Sequence, residues 1–494
     1  MSVRTNNEPH LNATQSYIDS ISDQLRPLLV TNDGPILMVQ IENEYGGWGD
    51  DHNYTNAMRD MLGKAFNLTM YTNDYATQDA IQAGMVPGTL TEIDGNATLG
   101  FRVRDQYVAN TSCPGPALNG ELYTSWFDHF GAGFHNSISG HSSAIQEHTS
   151  ELDFILTNNG SFSIYMFHGG THWGFTSGSN WDNGTEPVTT SYDYGAPLDE
   201  TGRPNDIYTA FREIIASHVG NDSIPPLVSS PPMVTIPNVT LTPTVGLLDL
   251  LSTPVAGELP VVMEALGQSF GHTLYRHIVT PETAISGGLQ PGDTPRDRVL
   301  VYVNGKRQGV IDSVYQPWVG LDLDLAVNDT LDLLVENMGR VCTGDQLTDQ
   351  RKGLYGNVSV DGTVLTQWNM YALPLDAPLT AVKNVTVPTD STSSPPLFYS
   401  GSFDLATIGD TFLELPGWVK GAVWVNGYSI GRYWIIGPQQ SYFIPGIWLQ
   451  KANNTVVVLA LEPNTAPPVV YGVTNRTWAE YPDPDKPAGN FNQR

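Results

Sequence analysis

The stretch Gly34–Gly47, GPILMVQIENEYGG, ends a nearly unbroken apolar run with Glu42, Asn43 and Glu44. Glu is seldom buried unless it is paired or working. A second stretch, ALNGELYTSW, carries Glu121, with Tyr123 and Trp126 just after it. SIYMFHGGTHW adds Tyr165, His168, His172 and Trp173, and TTSYDYGAPL adds Tyr192, Asp193 and Tyr194. Two Glu residues on different strands, ringed by aromatics and amides, suit a neutral polyol. Aromatic faces stack on the C–H side of a sugar ring, while Asn and carboxylates bond its hydroxyls. The chemistry that needs two facing carboxylates is glycoside hydrolysis. One protonates the leaving oxygen; the other attacks the anomeric carbon or activates water.

A single strand-end Glu is more often a salt-bridged structural residue; the pair with its surround points to chemistry. Period-two alternation puts Glu42 and Glu44 on one face, so depth must separate them. Glu44 is nearer the C-terminal end of its strand, where substrate reaches an α/β barrel. Glu42, one step deeper, is expected to be bonded within the barrel as support. Asn43 is expected at the rim, within reach of a sugar hydroxyl.

Such groups need strands that end at one rim. Residues 1–218 alternate helix-like and strand-like segments. Ile18, Ile21, Leu25 and Leu28 recur at helical spacing, as do Ile145, His148, Leu152 and Ile155, and then Ile207, Phe211 and Ile214. A further helix is predicted over Tyr54–Phe66, and strands over NLTMYTND and GTLTEIDG. This alternation predicts an α/β fold with a parallel sheet, doubly wound or a barrel. No Gly-x-Gly-x-x-Gly or Walker sequence is present, which argues against nucleotide binding.

Residues 219–245, rich in Pro, Ser and Thr, read as an extended surface linker. Beyond them helix signals vanish, and short β-branched runs predict two β-sandwiches, residues 246–376 and 377–485. Arg298–Val310 (RVLVYVNGKRQGV) and Gly421–Trp434 (GAVWVNGYSIGRYW) share an alternating strand, an Asn-Gly turn and a later glycine. They are either an internal repeat or two ordinary hairpins.

The chain of 494 residues carries a formal charge of −28. That balance excludes a nucleic-acid partner, since nothing would neutralise phosphates. It fits work at acidic pH and also plain solubility. No apolar run approaches the ~18 residues of a membrane span. Cys113 and Cys342 alone cannot build a zinc site. Fourteen Asn-X-Ser/Thr sequons, from Asn12 to Asn475, point to the secretory pathway. Yet MSVRTNNEPHLNATQ lacks the apolar segment of a signal peptide.

On these residues a resemblance becomes specific. GPILMVQIENEYG resembles the signature of glycoside hydrolase family 35, the β-galactosidases, in which the second Glu is the proton donor. LNGELYTSWFDHFG resembles the family's nucleophile segment, with Glu121 lying 77 residues after Glu44. YMFHGGTHWGF and SYDYGAPLDETG resemble its last barrel segments. EALGQSFGHTLYR, LDLLVENMGRV and LPGWVKGAVWVNGYSIGRYW read like the animal-type acid, lysosomal members.

The resemblance implies a TIM (β/α)8 barrel in residues 1–218, then two jelly-roll, galactose-binding-like sandwiches. It implies an exo-acting β-galactosidase that works with retention, by double displacement. Glu44 would be the general acid/base and Glu121 an ionised nucleophile about 5 Å from it. Asn43 would hold the hydroxyl next to the anomeric carbon. Tyr123, Tyr165 and Tyr194 would contact galactose or orient the nucleophile, and Trp126 would form an aromatic wall. No metal or organic cofactor is implied. The implied partners are β-galactoside glycans and a second copy in a homodimer; the implied location is the lysosome, the vacuole or the cell exterior.

In such barrels the acid/base ends the fourth strand and the nucleophile the seventh. By that count strands four to eight are present and Met1 falls after the third, so the barrel is expected to be incomplete. The missing strands, part of the galactose pocket and the signal peptide are expected upstream. Five strands cannot close an eight-stranded barrel, so this polypeptide alone is expected to be poorly stable and weakly active. His172-Trp173 replaces the family's usual Asn-Phe, which bears on the rim beyond the galactose. Cys113 stands where animal relatives place half of a disulfide whose other half is absent here, so it is expected to be free. The alternatives are an exo-β-glucosaminidase or galactanase of the same family, or a truncated, inactive carbohydrate-binding protein.

Overall fold

The structure, a computed structural model, describes residues 2–112, 114–227, 229–280, 284–316, 318–343, 345–375 and 394–486. Cys113, Asn384 and the boundary expected at 376/377 lie outside the described residues.

Five parallel strands lie side by side in chain order: β1 (Met38–Asn43), β2 (Thr69–Asp74), β3 (Leu90–Asp94), β4 (Leu118–Tyr123) and β5 (Ser161–Tyr165). Helix α1 (Glu8–Leu25) precedes β1. Helices α2 (His52–Phe66), α3 (Gln78–Gly84), α4 (Ala97–Tyr107) and α5 (Ser142–Thr157) follow β1 to β4 in turn, and α6 (Asp206–Val219) comes after β5. Parallel neighbours require such crossovers. Asn7, Asp51, Thr77, Asn96 and Asn205 start five of the helices by accepting backbone N–H bonds in the first turn. These bonds satisfy donors that have no partner inside the helix. Pro27 closes α1 early, so Leu28 falls in a short 3-10 turn and is exposed. Ile81, Ile93, Leu122, Leu152, Ile155 and Phe211 form one core between sheet and helices, and Ile18, Ile41, Leu62 and Phe66 another. Among the described residues the sheet stays open: β1 and β5 each pair on one side only.

The rest of the chain is all-β. In the first sandwich a six-stranded sheet, which includes His272–Ile278, Arg298–Val303, Lys306–Asp312 and Thr330–Glu336, faces a four-stranded one. Tyr275, Leu323, Leu333 and Trp368 fill the space between. In the second a five-stranded sheet, which includes Leu397–Phe403, Lys420–Val425, Tyr428–Trp434 and Asn454–Ala460, faces a four-stranded one across Trp418, Tyr433 and Val458.

The second sandwich also corrects the reading of residues 219–245 as linker. Ile236–Thr240 and Thr242–Gly246 are strands that pair antiparallel with Val469–Val473 and Leu397–Phe403. They bury Ile236, Val239, Leu241 and Val245. Pro237 and Pro243 disguised them. Both strands lie at sheet edges, where a missing N–H is tolerated.

The two Asn-Gly hairpins match beyond their turns. Asn304, Gly305, Asn426 and Gly427 all have positive φ, as a type I′ turn requires. Both hairpins slip register at the same position, Val301/Tyr302 and Val423/Trp424. The sheets that hold them pack against each other through Leu300, Tyr302 and Leu334 on one side and Ala422, Trp424 and Leu459 on the other. Arg298 opens the first hairpin and binds Glu462 of the second sandwich at 2.7 Å. Lys420 opens the second hairpin and binds Glu336 of the first at 3.1 Å. All four side chains are buried.

Candidate active site

β1 leaves strand geometry where its carboxylates begin. Its register with β2 shifts between Gln40 and Asn43. Glu44 then adopts φ 50°, ψ 34°, a left-handed conformation uncommon outside glycine. Its N–H still reaches the Asn73 carbonyl at 2.7 Å. Glu42 and Glu44 therefore part company, against simple alternation. Glu42 accepts from Arg4 Nε at 3.0 Å and Nη2 at 2.9 Å, and from Tyr54 Oη at 2.7 Å. It is a support, but its partners are Arg4 ahead of α1 and Tyr54 of α2, not groups within a barrel.

Glu44 faces Tyr75 and Tyr123. Tyr75 Oη donates to Glu44 Oε2 at 2.6 Å. Tyr123 Oη lies 2.8 Å from Glu121 Oε2 and 3.3 Å from Glu44 Oε1. One phenol thus stands between the two carboxyls that the sequence singled out. Asn73 Nδ2 donates to Glu121 Oε1 at 3.3 Å and approaches Asn43 Oδ1 at 3.5 Å. Gln40 Nε2 holds Asn43 Oδ1 at 2.8 Å. Burial is the largest influence on Glu121 and raises its pKa, as does the Glu44 charge. Tyr123, Asn73 and Asn43 pull it down without cancelling the rise.

The four aromatics chosen from sequence form a closed circuit of ring contacts. Tyr123 meets Trp126 at 5.7 Å, Trp126 meets Tyr194 at 5.9 Å, Tyr194 meets Tyr165 at 5.3 Å, and Tyr165 meets Tyr123 at 5.7 Å. Trp126 is 45% exposed. Tyr194 is buried and its Oη has no partner, an unmet hydroxyl beside the carboxyl pair. Tyr165 Oη lies 3.2 Å from Tyr192 Oη.

Other flagged residues lie elsewhere. His168 Nε2 is 3.4 Å from the Glu200 carbonyl. His172 packs edge-on to Tyr192, and burial pushes its pKa down to about 4. Trp173, expected to bear on the rim, instead packs on Trp448 and Phe443 of the second sandwich. That sandwich grips the segment between β5 and α6: Arg476 binds Asp193 at 2.5 Å and also pairs with the fully buried Glu200. Asp193 sits between Tyr192 and Tyr194, so the grip fixes one side of the aromatic circuit.

Sequence reasoning missed Asn73, Tyr75 and Asp94. They lie at the ends of β2 and β3, and the strand-end rule that found Glu44 and Glu121 would have found them too. Burial raises Asp74 to about 7, and Glu92 and Asp94 to about 8. Among the described residues no group of three or more His, Cys, Asp or Glu could hold a metal ion, and no helix is long and apolar enough to cross a membrane. A cavity of about 910 Å³ lies apart from the carboxyls, lined in part by Phe130, Tyr315, Ile436 and Tyr481. Neither Glu44 nor Glu121 lines it.

Comparison with known proteins agrees with this arrangement. Residues 1–218 match the family described as glycosyl hydrolases family 35. Residues 260–374 match the β-galactosidase first all-β domain, and residues 396–454 the β-galactosidase galactose-binding domain. A β-galactosidase of Xanthomonas manihotis is 35% identical over 454 residues, which span 90% of this chain and 72% of the relative. The β-galactosidase of Homo sapiens is 34% identical over 496 residues, 93% of this chain and 70% of the relative. That of Bos taurus is 32% identical over 493 residues, 93% and 73% respectively. The chain belongs to glycosyl hydrolases family 35 and is a glycoside hydrolase.

Proposed function

We propose that the protein is a retaining exo-β-galactosidase that removes terminal β-galactose from glycans by double displacement. The observation that carries this reading is the Tyr123 hydroxyl, bonded to both Glu44 and Glu121 from the ends of different strands. Two carboxyls that share one hydroxyl favour the close spacing of a retaining pair, ~5 Å, over the ~6.5–9.5 Å of an inverting one. Glu121 is the nucleophile: Tyr123 and Asn73 orient it. Glu44 is the general acid/base: it protonates the leaving oxygen and later takes a proton from water. The Trp126, Tyr165 and Tyr194 rings take the apolar face of the sugar, and the unmet Tyr194 hydroxyl and the Asn43 side chain take its hydroxyls. The domain limits read from sequence remain a proposal, changed in one place: residues 236–246 belong with the second sandwich.

The relatives' shared name favours galactose over glucosamine at this site. The sequons favour a secreted, lysosomal or vacuolar glycoprotein: every sequon asparagine among the described residues is exposed. The open five-stranded sheet keeps a second reading in view, sugar binding without turnover.

The test is the stereochemistry and the covalent intermediate. Proton NMR of a β-galactoside digest should show β-galactose first, and a 2-deoxy-2-fluoro galactoside should label Glu121. Glu44→Gln should slow unactivated galactosides by about 10²- to 10⁴-fold, the size of a general acid's contribution. With a leaving group that needs no proton it should spare the first step, read as kcat/KM, while the second step, which needs Glu44 as base, still slows. An α-configured first product, or labelling elsewhere, would sink the mechanism. Binding of galactose with no turnover in the unmodified chain would favour the second reading.

A further inference from the structure

The proposed reaction leaves one neighbour of Glu44 without work. Tyr75 follows β2 and precedes α3. Its Oη donates to Glu44 Oε2 at 2.6 Å, a closer contact than the 3.3 Å from Tyr123 to Oε1. Further contacts tie the same segment to the turn that carries Glu44. The Glu44 N–H bonds the Asn73 carbonyl at 2.7 Å, and the Gly46 N–H bonds Asp74 Oδ1 at 3.0 Å. The Tyr75 ring lies against Gly47, where an added Cβ would meet its Cε2 at 2.4 Å. Gly46 is as closely backed by α3: a Cβ there would meet the Ala80 carbonyl oxygen at 2.0 Å. The left-handed Glu44 is thus clamped by its surroundings, as a strained residue at a working site must be.

A neutral carboxyl has one O–H and one carbonyl oxygen, and the carbonyl oxygen is the better acceptor. A donor fixed at Oε2 therefore keeps the acid's proton on Oε1. Oε1 is the oxygen that faces Tyr123 and, beyond it, Glu121. The glycosidic bond must lie in that gap. The ring has a second use. Gly47 covers one edge of it, and Tyr75 remains 42% exposed. A phenol bonded to the group that protonates the leaving oxygen stands beside whatever the galactose is attached to. Its apolar face suits the C–H side of a further sugar.

We propose that Tyr75 is a positioning and specificity-determining residue: its hydroxyl keeps the Glu44 proton on Oε1, and its ring takes the sugar next to galactose. This rests on the reading of Glu44 as acid/base and deepens it. In the first step the Oε1 proton moves to the leaving oxygen as its bond to the anomeric carbon breaks and Glu121 forms the new one. Glu44 is then a carboxylate, and the Tyr75 O–H bonds it more strongly than it bonded the neutral acid. In the second step water gives a proton to Oε1 as its oxygen displaces Glu121. Tyr75 keeps its own proton throughout.

The test uses the full chain with Tyr75→Phe, which keeps the ring, and Tyr75→Ala, which keeps neither ring nor hydroxyl. Two substrates are compared: lactose, whose leaving sugar needs a proton, and a dinitrophenyl galactoside, whose leaving group does not. Tyr75→Phe should lower kcat for lactose about ten- to hundred-fold at an unchanged KM, the weight of a hydrogen bond to a charged group. It should hold kcat/KM for the dinitrophenyl galactoside within about threefold, since that first step needs no acid. Tyr75→Ala should in addition raise KM for lactose about tenfold, the weight of a partly buried aromatic face. Inhibition by free galactose, which lacks the second sugar, should keep its constant in both variants and shows that the site is folded. Equal losses on the two substrates in Tyr75→Phe, or a KM for lactose no higher in Tyr75→Ala than in Tyr75→Phe, overturns the proposal. So does a galactose constant that moves in Tyr75→Phe, since the bond would then serve only to build the site. Glu44→Gln in parallel separates the two readings: full activity on lactose in that variant would remove the acid/base role itself, whatever Tyr75 does.

Discussion

Tyr123 offers one hydroxyl proton to two carboxyls, and the shorter contact is to Glu121. Tyr123→Phe keeps the ring in the aromatic circuit and deletes the bond. Turnover of an aryl galactoside should fall about ten- to hundred-fold, the weight of a hydrogen bond to a charged group. A loss under about threefold would remove Tyr123 from the mechanism. The neighbouring acids also leave a mark on stability. Asp74, Glu92 and Asp94 bind protons more tightly folded than unfolded, with values near 7, 8 and 8. The folded chain therefore holds more protons than the unfolded one from about pH 4 to 8, and stability should decline as pH rises through that window. Thermal unfolding from pH 4 to 8 measures it; a midpoint that climbs toward pH 8 contradicts the assignment. Glu336 acts in the opposite sense at the acid end. Burial would raise it, but Lys420 and its neighbours hold it near 2, so its contribution is lost as pH falls toward that value. At this scale Glu44, Glu121 and the four aromatics were legible because carboxylates and rings at strand ends are chemically conspicuous. The turn of Glu44 away from Glu42 was not, since it depends on a bulge and a left-handed residue that no alternation rule encodes.

At the scale of elements, sequence reading worked where periodicity was regular. The helices at Ile145–Ile155 and Ile207–Ile214 sit inside α5 and α6 because an apolar stripe at helical spacing has one way to be buried. It failed at Ile236–Gly246, where prolines in edge strands mimic linker composition. The hairpins show how an element can serve a distant site. Gly431 lies in the strand after the second Asn-Gly turn with φ 151°, and an added Cβ would meet Thr190 Cγ2 at 2.3 Å. Thr190 in turn donates to the Arg432 carbonyl at 2.6 Å. Gly431→Ala should destabilise the chain by about 1–3 kcal/mol, as overpacking does. It should also weaken galactoside binding, because Tyr192 and Tyr194 lie two and four residues after Thr190. Denaturant unfolding and KM measure the two effects; an unchanged midpoint would show that the hairpin gives way freely.

Across the whole molecule, the second sandwich holds the segment between β5 and α6 through Arg476. Removing it by Arg476→Ala leaves Glu200 buried without its cation, which costs on the order of 3–5 kcal/mol. Loss of the grip on Asp193 should raise KM as well, and a variant with normal midpoint and KM would reduce the contact to packing. Glycan mapping of protein made through a secretory route should find occupied sites among Asn53, Asn67 and Asn96, all exposed; a bare chain would speak against that route. The crossed pairs Arg298–Glu462 and Lys420–Glu336 carry a further consequence, for the order of assembly. Each sandwich folded alone would hold a glutamate whose cation has yet to arrive, already half withdrawn from water, although Arg298 would keep Asp312 of its own hairpin. Such half-built states are penalised, so neither sandwich should persist as an intermediate. The pair should appear and vanish together, in one cooperative transition, as if the later half of the chain were a single folding unit written in two similar verses.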